Sequence, residues 1–262
     1  MPEGDTIWRT AAALRPRLVG QRVLSARPAA LGRLAGATVT AVDTAGKHLL
    51  VRFDNGLSLH THMRMTGVWH TYAPGARWRK PERMARAVLE VEGAVAVLFN
   101  APLVELTRHD DHTSHLGPDI LADDLDLERV VRRARSLGDV PIGELLLDQR
   151  VSAGIGNIWR TEALWTHRIN PWRPSASLTD DELSALFAWA HREMRAHLRG
   201  PYRRSAVHGR AGRNCPRCAT PISVRAQGAH ARLTYWCPSC QYQITGSSPE
   251  APSGRQRASP RA

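Results

Sequence analysis

The chain has 262 residues, 36 Lys and Arg against 24 Asp and Glu, and a net charge of +12. That length accommodates two modest domains with separate cores, and that charge points to a polyanionic partner, nucleic acid ahead of an anionic membrane. No run of about 18 apolar residues is present and the amino terminus lacks a signal-peptide layout, so no membrane partner is expected and a cytoplasmic protein is.

The chain opens Met1-Pro2-Glu3-Gly4-Asp5. Removal of the initiator Met would leave Pro2 as a secondary-amine terminus. An α-amino group titrates near pH 8, against about 10.4 for a Lys side chain, so a useful fraction is neutral and nucleophilic at physiological pH. Such an amine can attack an aldehydic carbon and form an iminium, and Glu3 beside it can move protons. Taken alone, these five residues read first as an ordinary start followed by a small residue. Residues 5–19 read as a helix with Ile7, Ala11, Leu14 and Leu18 on one face, Asp5 capping its start, Pro16 kinking or shortening the last turn and Gly20 suiting the stop.

From 21 to about 107 the pattern changes to short β-like runs, at 22–24, 38–42, 48–53 and 88–91, with turn signals at Asp54-Asn55-Gly56 and Glu92-Gly93. This spacing predicts a β-sandwich or barrel, and the wholly apolar run 95–99 predicts a central strand. Lys47 stands at the start of a strand, where a lone Lys is ordinarily a solvated edge residue. The segment 60–67 packs His, Met and Arg before a turn, and a buried Met at a strand end accounts for it equally well. Residues 108–115 are rich in His and Asp; a metal site and a solvated linker are both readings, and the linker is preferred because ligands so closely packed in a loop lack a preset geometry. The composition shift there marks a domain boundary.

Residues 125–200 read as helical. Leu127, Val130, Val131 and Ala134 share a face, Pro141 opens a helix at its first position, and Thr179-x-x-Glu182 is a capping box ahead of Leu183, Leu186, Phe187, Ala190 and Met194. Between two helices, Gly154-Ile155-Gly156-Asn157 leaves backbone N–H groups able to hold an anion such as a phosphate; a plain tight turn is the other reading. The strongest local signal is Cys215-x-x-Cys218, eighteen residues, then Cys237-x-x-Cys240, the spacing with which four thiolates close around one structural zinc ion. Strands at 220–224 and 232–236 make the intervening hairpin, and Arg217, Arg225 and Arg232 beside Tyr235 and Trp236 suit a phosphate backbone. The tail from 244 is Gly/Ser/Pro-rich and basic, and is expected to be disordered.

A Pro2-Glu3 start, a β-rich first region, a helical region with Gly-Ile-Gly-Asn and a C-terminal four-Cys hairpin occur in that order. The combination resembles the formamidopyrimidine-DNA glycosylase/endonuclease VIII family of base-excision repair enzymes over residues 1 to about 243, and more closely its endonuclease VIII-like members. The resemblance implies an α+β multidomain protein: an N-terminal β-sandwich with its helix (1–115), a helix-two-turn-helix DNA-binding domain (116–205), a zinc finger (206–243) and a disordered basic tail (244–262). It implies a bifunctional glycosylase and abasic-site lyase in which Pro2 attacks C1′, Glu3 is the general acid/base, Lys47 contacts phosphate and donates a proton in β-elimination, and Arg232 grips phosphate and serves δ-elimination. Asn157, with Gly156 beside it, matches a second phosphate clamp. Met65 matches a residue that fills the void left by a flipped nucleotide, and Leu103 is a further candidate wedge.

The implied partner is damaged double-stranded DNA, with single-stranded or bubble DNA as the alternative, met by a monomer at the nucleoid. Thr6 occupies a position where the family commonly has Glu, and an Asp-Pro-Arg-Arg-Phe-Gly insertion loop is missing, its place taken by residues 100–105. Oxidised pyrimidines are therefore favoured as substrates over 8-oxoguanine and other oxidised purines. A non-catalytic damaged-DNA-binding protein is the reading from a different class.

Overall fold

The computed structural model of the protein describes residues 2–108, 111–201 and 204–242. The tail expected from 244, together with His109 and Asp110 of the His/Asp-rich stretch, lies outside the described residues.

Helix α1 (Gly4–Leu18) buries Ile7, Ala11, Leu14 and Leu18, the stripe its periodicity predicts. Two expectations for this helix are corrected. Its N-cap is Glu3, and the carboxylate of Asp5 turns to other partners described below. The helix also runs through Pro16 to Leu18, with Val19 N–H still donating to Arg15 O at 3.0 Å, before Gly20 takes φ +82 and ends it.

Eight strands follow: β1 (Val23–Arg27), β2 (Val39–Ala45), β3 (His48–Phe53), β4 (Ser58–His62), β5 (Val68–Tyr72), β6 (Ala85–Val91), β7 (Ala94–Phe99) and β8 (Leu103–Thr107). They form two antiparallel four-stranded sheets, in the orders β1-β6-β7-β5 and β2-β3-β4-β8. Period-two burial supplies the core between the sheets: Leu49, Val51 and Phe53 from one, and Ala87, Leu89, Val91, Ala96 and Leu98 from the other. Strand β7 is central, as its apolar run predicts, and is buried on both faces. Its outward residues Val95, Val97 and Phe99 are covered by Val68, Tyr72, Trp78 and Met84, which explains why it does not alternate.

A short helix α2 (Asp111–Ser114) lies in the stretch read as a loop, and then come α3 (Leu127–Ser136), α4 (Ile142–Leu145), α5 (Asn157–Thr166) and α6 (Asp180–Arg199). These last four pack around Val130, Ile142, Leu145, Leu164, Leu186 and Phe187. The capping box forms, Thr179 accepting from Glu182 N–H and Glu182 from Thr179 N–H, whereas Pro141 is the N-cap of α4 instead of its first residue. Strands β9 (Ser223–Gln227) and β10 (Arg232–Trp236) make the last hairpin, β9 lying three residues later than its expected start because the turn after the first Cys pair extends to Ile222. No helix among the described residues is long and apolar enough to cross a membrane.

Candidate active site

Pro2 and Glu3 stand just ahead of α1, and Glu3 reaches across to a different helix. Its Oε1 accepts the N–H of Ile158 at 2.8 Å and its Oε2 that of Trp159 at 3.3 Å. Both are opening N–H groups of α5, which have no partner within the helix and form its positive end. The N–H groups that hold this carboxylate are those of Ile158 and Trp159, just beyond the Gly-Ile-Gly-Asn turn, and their partner is the protein's own Glu3. A β-carbon on Gly156 would collide with the Glu3 side chain, so glycine is required by close approach, its backbone being extended at φ −120. Beside this contact Gly4 N–H donates to Gly154 O at 2.9 Å, and Gly154 sits at φ +108, which favours glycine.

Glu3 is 1 % exposed. Burial raises its pKa from 4.5 to about 7, with Asp5 adding to the rise, while the Ile158 N–H and Lys47 oppose it. Lys47 occupies the two-residue turn between β2 and β3, where Ala45 pairs with His48, and is half-buried; the expectation of a strand start is corrected to a hairpin turn. Burial lowers its pKa to about 8 against the pull of Glu3, and the charges of Arg232 and Arg160 lower it further. The turn is pinned by Gly46 N–H donating to Asp119 Oδ2 at 2.7 Å, with Gly46 lying close against Ala153. Lys47 thus lies within electrostatic reach of both Glu3 and Arg232, residues from distant parts of the chain.

Pro2 is half-buried and lines a cavity of about 280 Å³ with Glu3, Thr6, Ile158, Trp159, Trp165 and Trp189. Glu162 also faces it; its carboxylate accepts the backbone N–H groups of Ala206, Val207 and His208 at 2.8–3.0 Å and so fixes the chain beyond α6.

Asn157 is 7 % exposed and joins α5 to the hairpin, its Nδ2 donating to Leu233 O at 2.8 Å. Its Oδ1 accepts from Arg160, which is wholly buried and also donates to Gly143 O, Thr234 Oγ1 at 2.7 Å and Gln227 Oε1. Arg232, at the start of β10, is exposed next to Leu233. Arg217 and Arg225, the other two finger arginines expected to suit a phosphate backbone, take structural positions. Arg217 stacks 4.2 Å over Trp165 and donates to the Trp165 and Thr166 carbonyls at the end of α5, and Arg225 stacks 3.9 Å over Trp172.

The sulfur atoms of Cys215, Cys218, Cys237 and Cys240 all lie within 4.8 Å of one another, and Sγ–Sγ distances of 3.4, 3.4 and 3.9 Å are well beyond a disulfide bond. A tetrahedral thiolate site with metal–sulfur bonds of about 2.3 Å has edges of about 3.8 Å. The four cysteines therefore suit a metal ion, and among the described residues they are the sole group of this kind.

Met65 and Leu103 lie on neighbouring segments. Met65 is 62 % exposed beyond β4, in a turn closed by Gly67 N–H donating to Met63 O at 2.8 Å, while Met63 is the buried methionine of that segment. Thr66 Oγ1 donates to Asn100 O at 3.0 Å, bringing this turn beside the β7–β8 connection, whose half-buried Leu103 begins β8. That connection is only residues 100–102, and Asn100 turns it at φ 53.

Sequence reading missed four residues that hold these groups in place: Asp119, Arg160, Glu162 and His197. Arg160 carried a usable signal, a charge set between Trp159 and the apolar Ala163 and Leu164 on an otherwise buried helix face. The others act across the fold and leave no local pattern.

Residues 1–103 match the family model described as the formamidopyrimidine-DNA glycosylase N-terminal domain, and residues 116–202 the one described as the formamidopyrimidine-DNA glycosylase H2TH domain. The chain is 39 % identical over 280 residues to a probable endonuclease 8 2 of Streptomyces coelicolor, covering both chains completely. It is 34 % identical to the DNA-(apurinic or apyrimidinic site) lyase Nei2 of Mycolicibacterium smegmatis, over 92 % of this chain and 99 % of that one. Among solved structures, the MutM (Fpg) protein of Thermus thermophilus superposes with a TM-score of 0.78 at 28 % identity, over 95 % of this chain and all of that one.

Proposed function

The chain belongs to the formamidopyrimidine-DNA glycosylase family, and from that premise we propose that it excises oxidised bases from double-stranded DNA and cleaves the resulting abasic site through a Schiff base at Pro2. The observation that carries this reading is Glu3, a buried carboxylate with a pKa of about 7, fixed at a helix N-terminus directly beside the terminal residue of the processed chain.

The steps follow from these groups. With Met1 removed, the neutral amine of Pro2 attacks C1′ of a nucleotide turned out of the stack, the C1′–N bond breaks with its electrons leaving on the base, and the proton shed by the alkylated Pro2 nitrogen neutralises the departing base. Glu3 donates its proton to the ring oxygen as the C1′–O4′ bond opens, and the nitrogen lone pair forms the iminium. Loss of a proton from C2′ then expels the 3′ phosphate, and a second elimination expels the 5′ phosphate. Lys47, with a pKa of about 8, suits proton donation here, while Arg232 neutralises phosphate charge. The cavity beside Pro2, walled by Trp159, Trp165 and Trp189, offers the flipped base aromatic faces.

In this reading residues 1–115 form the catalytic lobe, 116–205 the helix-two-turn-helix domain and 206–243 the finger. The four cysteines hold zinc, which closes the finger and leaves no coordination position for chemistry. Oxidised pyrimidines are the favoured substrates, because residues 100–105, which stand in place of the Arg- and Phe-bearing loop, contain neither Arg nor Phe.

Borohydride trapping on duplex DNA carrying an abasic site tests the proposal. Wild-type protein is expected to form a covalent adduct that Pro2→Gly and Glu3→Gln do not; wild-type protein that forms none under any condition rules the proposal out. Cleavage of duplexes with thymine glycol, dihydrouracil or 8-oxoguanine assigns the substrate.

A further inference from the structure

Asp5 and His197 are 192 residues apart in sequence and meet at the cavity wall. Asp5 Oδ2 lies 2.6 Å from His197 Nδ1, with side chains only 5 % and 7 % exposed. The other carboxylate oxygen of Asp5 accepts Thr6 N–H at 2.9 Å, so the group is held on both sides. Asp5 is the acidic residue of the first turn of α1, two positions from Glu3, and Thr6 next to it brings no second carboxylate. We infer that the Asp5–His197 pair is a positioning device for the Pro2–Glu3 site, locking the first turn of α1 to the end of α6 and keeping a fixed carboxylate beside the Glu3 acid.

Two observations support a positional role. The backbone contact of Gly4 with Gly154 and the Glu3 carboxylate on Ile158 N–H tether the terminus to α5 and the turn before it, and Asp5–His197 adds a tether in another direction, from α1 to α6. Three tethers to two elements fix a point that two tethers to one would leave free to rotate. A buried carboxylate–imidazole contact must offset the desolvation of both groups before it adds net stability, so stability alone gives a weak reason for placing one here.

The electrostatics agree with that placement. The helix N-terminus and Lys47 both favour ionised Glu3, and the Asp5 charge works against them and favours the protonated acid. The other charged and titratable groups around the pair are Glu3 and Arg9 of α1, Arg9 Nη1 donating to His197 O at 3.5 Å, with Glu162 and Arg204 lining the same cavity. Trp159 of α5 presents its indole to the His197 ring at 5.7 Å.

The inference rests on Pro2 and Glu3 acting as nucleophile and acid, and its test separates the two. Single-turnover base excision is followed against pH for wild type, Asp5→Asn, Asp5→Glu and His197→Gln, with DNA affinity and melting temperature measured in parallel. Asp5→Asn keeps the shape and removes the charge. Its alkaline limb should move down by about half to one pH unit, and its rate at pH 8 should fall by roughly threefold to tenfold with affinity unchanged. Asp5→Glu should restore the limb. His197→Gln, which retains the Asp5 charge but loosens it, should lower the rate at every pH with the limb in place.

An Asp5→Asn limb coincident with wild type, or a loss lying wholly in affinity or folded fraction, overturns the inference. If Asp5→Asn does not fold, His197→Gln carries the test; if neither folds, the pair is a stability element and the inference fails. A wild type that neither excises nor traps sinks the functional reading itself.

Discussion

Glu3 and Gly156 compete for the same space: the carboxylate arm of Glu3 passes where a side chain at 156 would begin. Gly156→Ala should therefore displace the acid while leaving every chemical group present. The expected result is a drop in excision on the order of a hundredfold, the lower end of what general acid catalysis supplies. The melting temperature should fall modestly, an overpacking cost of about 1–3 kcal/mol. A crystal structure with Glu3 still on Ile158 and Trp159, or an unaltered rate, would contradict this.

The pH dependence of excision should be bell-shaped. The acid form of Glu3 is lost as pH rises through about 7, and the neutral amine of Pro2 is gained as pH rises through about 8. The optimum should fall between these values, with apparent pKa values belonging to the pair. A profile rising monotonically to pH 10 would show that Glu3 is not needed in its protonated form.

Glu3 should also shape the stability curve. Its folded pKa lies above its unfolded value, so the folded state binds the extra proton. Stability is highest below about pH 4.5 for this group and is lost as pH rises through about 7. Glu3→Gln removes that dependence, so the difference in unfolding free energy between variant and wild type should shift in favour of the variant by up to about 3 kcal/mol between pH 5 and pH 9. Denaturant melts at the two pH values measure it, and parallel behaviour of the two proteins would refute it.

Arg160 is the knot between α5 and the hairpin. Arg160→Met should cost about 3–5 kcal/mol, because Asn157, Gly143 and Thr234 lose a charged donor in a buried site. Arg160→Lys should recover little of it, since an ammonium lacks the planar fork that reaches those acceptors. Urea melts with DNA affinity as a second readout test this; a loss below 1 kcal/mol would show the network to be dispensable.

Cys237→Ser should abolish stoichiometric zinc and release the finger from α5. The Arg217–Trp165 stack and the Trp172–Trp236 contact would be lost with it, so near-ultraviolet circular dichroism should change alongside DNA affinity. Retained affinity with zinc absent would separate binding from the finger.

The legibility of the fold in the sequence follows interaction range. Helix α1, the central strand β7 and the capping box at Thr179 are readable because each is a local period or a local pair. The four-Cys cluster is readable because its ligands are few and their spacing is constrained. Asp5 reads wrongly as a helix cap, since in sequence an N-terminal Asp has no visible partner and His197 is 192 positions away. Likewise the Gly-Ile-Gly-Asn turn reads as an anion holder, but only tertiary structure brings the Glu3 carboxylate to the N–H groups just beyond it. Arg217 looks like a phosphate ligand by composition, and its indole partner lies on another element.

The contacts that assemble the site all run between its two halves: Glu3 to α5, Gly4 to Gly154, Gly46 to Asp119 and Asp5 to α6. Spreading the halves to admit a straight duplex would pull the acid from its seat, so the protein is poorly able to yield. If duplex DNA is held between these halves as proposed, the accommodation falls to the nucleic acid, which would bend to reach the site. Places where the double helix has lost stiffness, at a missing or distorted base, meet that demand with the least work. On the proposed function, these four short contacts would thereby make the mechanical softness of DNA a basis for selecting a site before any base is examined.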